Sequence, residues 1–269
     1  RYANYWFTGG GHTAEDYAQQ AKRVKDMGFT GLKFDPFAHT NYLYGEDLNT
    51  DLGLTPAQQD VAFEVTKAVR DAVGPEFDMM IETHAMLNFE VAVKMAERLA
   101  PLGVTWYEEP AGPENSDTLR AFRDRLPSNV PICVGERHYT RHGFRPVLEK
   151  HICDVIMPDI TRCGGPSEMK RIATMGEAYG VMVAPHNPNG PLSTLASAHV
   201  CASIPNFFRC EFMVNDVPWR DEVITHPLDV REGFLHLSDR PGLGVDLIEE
   251  ELEKHPGIRG LKEKENFYV

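Results

Sequence analysis

Three glutamates define the chemistry this sequence could support. Glu82, Glu108 and Glu136 follow one another at intervals of 26 and 28 residues, each close to one strand–helix unit. Each closes or shortly follows a brief apolar run: Phe77 to Ile81, Val104 to Tyr107, and Pro131 to Val134. In a parallel barrel, a carboxylate at a strand's C-terminal end faces the mouth where such folds do their chemistry. Three in phase would repel one another, since two unit charges ~4 Å apart cost about 4 kcal/mol at an effective dielectric of 20. A hard divalent ion with oxygen ligands, Mg²⁺ above all, would resolve that conflict and leave positions for substrate oxygens. Taken singly, each glutamate could equally be a solvated loop carboxylate on an acidic protein.

Imidazoles stand near the same strand ends. His84 lies two residues beyond Glu82, and strand alternation would place both on one face. Asp159 ends a sixth apolar run and His186 a seventh. Neighbouring barrel strands lie ~4.8 Å apart, so Asp159 could orient the His186 ring and raise its pKa, making it a better base. The alternatives are that Asp159 caps the helix after Gly164-Gly165, and that His186 fills a turn between Pro185 and Pro188. Lys33, Asp35, Glu109 and Glu211 complete the polar groups at strand ends.

These residues need a scaffold that repeats. Strands are expected at Tyr2 to Phe7, Thr30 to Phe34, the run to Glu82, Val104 to Glu108, Pro131 to Val134, Asp154 to Met157, Val181 to Pro185, and Phe207 to Glu211. Helices alternate with them. Thr13 caps one that runs to about Met27, and Thr55-Pro56 opens another with proline in its first turn. Further helices are expected at Asn88 to Ala100, after Asn115, at Arg141 to Glu149, at Ser167 to Tyr179, and from about Leu192 to Ser203. No such helix clearly follows the eighth strand. The pattern predicts a parallel α/β barrel of the TIM type, (β/α)7β, over residues 1–224. Residues 225–269 read as a Pro/Gly-punctuated tail with one short acidic helix near Ile248 to Lys254. At 269 residues the chain suits such a barrel, typically ~250 residues long.

Composition narrows the partners. The chain is 42% hydrophobic and 25% charged, as a globular protein is. A net charge of −13 with no Lys/Arg run argues against nucleic acid or an anionic membrane as partner. It does not exclude an acidic substrate, because a bound cation inverts the local sign. Five cysteines without a CxxC pair fit reduced thiols and a cytoplasmic setting.

The motifs Tyr107-Glu108-Glu109-Pro110, Gly135-Glu136-Arg137, Met157-Pro158-Asp159 with Gly164-Gly165, and Ala184-Pro185-His186 together resemble the enolase superfamily, mandelate racemase subgroup. Gly135 to Arg141 and Ala184 to Pro191 are most similar to its galactonate- and gluconate-type sugar-acid dehydratases. The resemblance implies Mg²⁺ on Glu82, Glu108 and Glu136, a base at His186 with Asp159, and a second histidine at His84 acting as acid. It also implies that Glu211 meets the substrate carboxylate, as a protonated donor. Lys33, Asp35, Arg137, Tyr139, Arg141 and Asn187 are the expected substrate contacts, and the loop Pro36 to Asn49 the seat of specificity. The expected reaction removes the C2 proton of a small sugar acid and expels its 3-hydroxyl. The resemblance further implies a homo-oligomer and a capping domain that would precede Arg1, with the tail returning to it. Two departures stand out. Glu82 replaces the usual aspartate, and Lys33-Phe34-Asp35 replaces Lys-x-Lys, which weakens a racemase reading and favours a one-base elimination. Racemisation, epimerisation or cycloisomerisation, and an inactive barrel with a binding role, are the alternatives.

Overall fold

The computed structural model describes residues 1–7, 13–37 and 53–256. The turn Gly9-Gly10-Gly11 and most of the loop expected to set specificity lie outside the described residues. Eight parallel strands form one sheet: β1 (Tyr2–Asn4), β2 (Gly31–Phe34), β3 (Asp78–Glu82), β4 (Trp106–Glu108), β5 (Ile132–Val134), β6 (Val155–Ile156), β7 (Met182–Val183) and β8 (Glu211–Met213). Their order is β7-β6-β5-β4-β3-β2-β1-β8. A parallel bridge between Val183 and Phe207 joins β7 to the residues just before β8 and closes the ring.

Among the helices of the described residues, one follows each of the first seven strands: α1 (Ala14–Asp26), α2 (Pro56–Val73), α3 (Phe89–Leu99), α4 (Ser116–Arg125), α5 (Thr140–Glu149), α6 (Gly165–Ala178) and α7 (Pro191–Cys201). Among the described residues no α-helix separates β8 from the tail. The tail holds a two-stranded hairpin, β9 (Val230–Arg231) with β10 (Phe234–Leu235), and the short helix α8 (Glu249–Lys254). The expected (β/α)7β barrel is therefore the fold. No helix among the described residues is long and apolar enough to cross a membrane.

Helix starts follow from local chemistry. Thr13 accepts from the Asp16 amide while Asp16 reaches back to the Thr13 amide, and Thr55 and Gln58 do the same at α2. Each reciprocal pair satisfies two backbone donors the helix itself cannot.

Alternation along the strands sorts side chains to the two faces of the ring. Tyr2, Met80, Trp106, Cys133, Val155, Met157 and Ala184 form one buried cluster inside the barrel. Leu32, Met79, Ile81, Tyr107, Ile132, Val134 and Ile156 join the larger core shared with the helices. Met80 and Trp106 point inward, so Glu82 and Glu108 two residues on point inward at the mouth. Register places those two strand ends side by side, with Glu82 paired opposite Glu108.

Strand β1 stops at Asn4, short of the expected Phe7, whereas β3 ends at Glu82 as expected, which leaves His84 outside the strand. The eighth strand is displaced: Phe207 pairs with β7, whereas Glu211 opens the segment that pairs with β1. One chain segment thus has to serve two neighbours in turn.

Gly135 holds the turn that delivers Glu136. Its φ is +137°, and a Cβ there would lie 2.6 Å from Phe144 Cε1 and 3.0 Å from the Met157 amide. We expect Gly135→Ala to lower stability by about 2–4 kcal/mol, from backbone strain and overpacking together. Thermal unfolding of the variant beside the parent measures it.

Candidate active site

At the C-terminal ends of β3, β4 and β5, one oxygen from each of Glu82, Glu108 and Glu136 lies within 4.8 Å of the other two. All three side chains are buried. Glu82 Oε1 accepts the amides of Thr83 and His84 at 2.9 and 2.7 Å. Glu108 Oε2 accepts Trp106 Nε1 at 2.6 Å. Burial and the neighbouring charge of Glu82 push Glu108 well above the usual carboxylate range. The donor set is all oxygen, hard and anionic, which suits a divalent cation such as Mg²⁺.

One ammonium enters the cluster. Lys33 Nζ, from β2, contacts Glu108 and lies 3.3 Å from Glu82 and 3.0 Å from Glu211. Burial opposes its charge, but Glu108 and Glu211 outweigh burial and raise its pKa well above the ordinary lysine value.

The two imidazoles are each tied to an aspartate. His186 Nδ1 lies 2.9 Å from Asp159 Oδ2, and its Nε2 lies 3.3 Å from Glu136 Oε2. Burial works against charge on His186, yet Asp159, Glu211 and Glu136 raise its pKa. Asp159 in turn accepts Thr161 N at 2.7 Å, Thr161 Oγ1 at 2.6 Å and Asn189 Nδ2 at 3.1 Å. Burial would raise Asp159, but His186 and Thr161 hold it down to about 2. On the other side, His84 Nδ1 lies 2.8 Å from Asp35 Oδ2. Burial lowers the His84 pKa, while Glu82 and Asp35 together bring it up to about 9.

His84 does not reach the mouth by strand alternation. It has φ +50° and Ala85 +53°, a left-handed turn just past the strand. Glu109 is likewise at φ +44°. Such conformations cost of order 1–3 kcal/mol each and persist only where the surroundings impose them. Here Thr83 Oγ1 donates to the carbonyls of Glu108 and Glu109 at 3.0 and 2.6 Å, and the Ala85 amide donates to Glu109 at 2.8 Å. The β3 and β4 ends are stitched together, and His84 is turned by that stitching.

Three of the expected substrate contacts, Asn187, Arg141 and Arg137, make bonds within the protein, and a fourth, Tyr139, is exposed. The Asn187 side chain bonds Thr194, Ser193 and the Glu211 carbonyl. Arg141 pairs with Glu168 of α6 through both its amide and its guanidinium. Arg137 Nε donates to Glu109 Oε2 at 3.1 Å, and that carboxylate also accepts the Gly135 amide at 2.7 Å. Tyr139 is 63% exposed.

Glu211, expected as a protonated donor, accepts hydrogen bonds at both oxygens. Its Oε1 accepts Asn4 Nδ2 at 2.7 Å and its Oε2 accepts the Asn187 amide at 2.6 Å. Burial would raise its pKa, but Lys33 and His186 hold it below the usual value.

Sequence reasoning placed Glu109 among the strand-end polar groups without giving it a role, and missed Asn189, Thr83 and Asn4 as supports of the site. The signal for Glu109 is its position beside Glu108 at the end of β4. Burial and Glu136 bring Glu109 up to about 7.

Comparison with known proteins gives the same frame. The family described as enolase C-terminal domain-like matches residues 16–251. D-xylonate dehydratase of Haloferax volcanii is 31% identical over 253 residues, covering 91% of this chain and 60% of that protein. D-gluconate dehydratase of Thermoproteus tenax is 32% identical over 255 residues, covering 94% of this chain and 49% of that protein. The chain thus spans about half to three fifths of the length of these two relatives. A solved enolase-superfamily member from Salmonella Typhimurium superposes with a TM-score of 0.86 at 32% identity, covering 94% of this chain and 66% of that one.

Proposed function

We infer the function from one premise: this chain belongs to the enolase C-terminal domain-like family. On that premise we propose that it is the catalytic barrel of a Mg²⁺-dependent hydro-lyase acting on a sugar acid of the aldonate class. The observation that carries the reading is the pair of histidines, each held by an aspartate, beside three convergent carboxylates. Dehydratases among its relatives support the reaction type.

Glu82, Glu108 and Glu136 would hold the cation. When bound, it would serve as a Lewis acid toward the substrate carboxylate. The chain's own groups do the rest. An ionised Asp159 can only accept a hydrogen bond, so His186 carries its proton on Nδ1 and leaves Nε2 to take the substrate's C2 proton. His84 gives a proton to the departing 3-hydroxyl, and the enol product becomes a 2-keto-3-deoxy acid. Lys33 adds positive charge beside the carboxylate cluster, and Glu211 anchors Lys33. General acid–base action contributes ~10²–10⁴-fold for each such group.

The test is a panel of aldonic and aldaric acids incubated with the intact, folded protein and Mg²⁺. A 2-keto-3-deoxy product from at least one acid is expected; no product from any of them removes the reading. A further expected result concerns the metal alone. Mg²⁺ should raise the melting temperature, by the equivalent of about 2.7 kcal/mol at a hundredfold excess over its Kd. Glu108→Gln should abolish that rise, read by differential scanning fluorimetry.

A further inference from the structure

We propose that Asp35 is a positioning residue that commits His84 to giving up its Nε2 proton, so that the barrel holds two opposed histidine–aspartate dyads. The chemistry of this proposal rests on the dehydratase reading above; the dyad itself rests on geometry. Asp35 follows β2 and His84 follows β3, whereas Asp159 follows β6 and His186 follows β7. In a closed ring of eight strands, β2 and β6 stand four places apart, as do β3 and β7. The two pairs therefore face each other across the mouth.

Their local construction is the same. In each, the aspartate comes from the strand before the histidine and takes the ring by Nδ1 through Oδ2, at 2.8 Å for Asp35 and 2.9 Å for Asp159. In each, Oδ1 accepts the backbone amide two residues on, from Phe37 and from Thr161, both at 2.7 Å. That turn fixes the carboxylate, and the carboxylate fixes the ring. Asp35 is nearly buried, with 5% of its side chain exposed, while 41% of the His84 side chain is open. Asp35 is thus a support behind the imidazole. In the Lys-x-Lys pattern a base occupies its position; here Asp35 Oδ1 accepts the Phe37 amide and Oδ2 faces His84 Nδ1.

With Asp35 Oδ2 as the acceptor in this dyad, His84 keeps a proton on Nδ1 throughout. The proton available for transfer is the one on Nε2. As the C3–O bond breaks, its electron pair leaves with oxygen, which takes the Nε2 proton and departs as water. His84 is left neutral, protonated on Nδ1 and still bonded to Asp35. An amide at position 35 can donate to Nδ1 and so stabilise the wrong tautomer, a change that costs ~10⁴-fold in a serine-protease triad.

The experiment compares Asp35→Asn and Asp35→Glu with the parent, as the intact protein, using D-gluconate and D-xylonate with Mg²⁺. Three readouts are taken: 2-keto-3-deoxy product, solvent deuterium exchange at C2, and ¹⁵N NMR of the His84 ring. Asp35→Asn is expected to cut dehydration ~10²-fold or more with C2 exchange retained, since exchange belongs to His186. Asp35→Glu, which keeps the carboxylate, is expected to recover part of the loss. The His84 ring is expected to be protonated on Nδ1 in the parent and to shift toward the Nε2-protonated neutral tautomer in Asp35→Asn. Undiminished dehydration in Asp35→Asn, or exchange and dehydration falling together, would overturn the positioning role. If the parent turns over neither acid, the NMR readout decides alone: loss of the Nδ1 proton in Asp35→Asn supports the dyad, and an unchanged ring overturns it.

Discussion

His186→Asn is expected to lose both dehydration and C2 proton exchange, each by roughly 10³–10⁴-fold, because the proton acceptor itself is gone. The fold should tolerate the change. Asp159 keeps the Thr161 amide, the Thr161 hydroxyl and Asn189 as donors, so its buried charge is not left bare. The three glutamates are untouched, so the Mg²⁺-induced rise in melting temperature should persist in the variant. Activity lost with metal response kept is the signature of a missing base. If both disappear together, His186 acts by holding Glu136, which lies 3.3 Å from its Nε2.

His84→Asn is expected to separate the two halves of the reaction. Dehydration should fall ~10²–10⁴-fold while C2 exchange stays within about threefold of the parent, since the C2 proton is removed on the opposite side of the mouth. Asparagine is well chosen here. Position 84 sits at φ +50°, and asparagine tolerates the left-handed region better than most residues. The backbone turn can therefore survive the loss of the imidazole. Proton NMR in D₂O reads exchange and product in one experiment. Full dehydration in this variant would remove His84 from the mechanism.

Much of this architecture was legible before any coordinates. Alternating apolar strands and capped helices announce a parallel barrel, and the 26- and 28-residue intervals place Glu82, Glu108 and Glu136 at successive strand ends. Those features depend on local period and on one repeat, both of which a sequence carries. The partnership of Asp159 with His186 follows from adjacency of strands six and seven.

What was not legible depends on turns and on competition between partners. Strand alternation would bring His84 to the mouth, but the chain does it with a left-handed turn stitched to β4 by Thr83. The pairing of Asp35 with His84 depends on that turn, so the Lys-Phe-Asp signature shows that a carboxylate replaces the base, not which group that carboxylate holds. Asn187, Arg137 and Arg141 look like ligand contacts by residue type. The Asn187 side chain is taken up by Thr194 and Ser193, and one guanidinium nitrogen of Arg137 and one of Arg141 bond Glu109 and Glu168 respectively. The family resemblance implies that Glu211 is a neutral acid. Lys33, 3.0 Å away, instead favours its ionised form, a contact that residue type alone does not reveal.

The claim at the centre of this account is that proton removal at C2 is followed by loss of the neighbouring hydroxyl. The most direct measurement is to incubate the intact protein with Mg²⁺ and an aldonic acid that it binds, in D₂O, and follow substrate and product by proton NMR. The account predicts a 2-keto-3-deoxy acid that accumulates with deuterium at C3. Deuterium entering C2 of the recovered acid, with no water lost and no ketone formed, would contradict it.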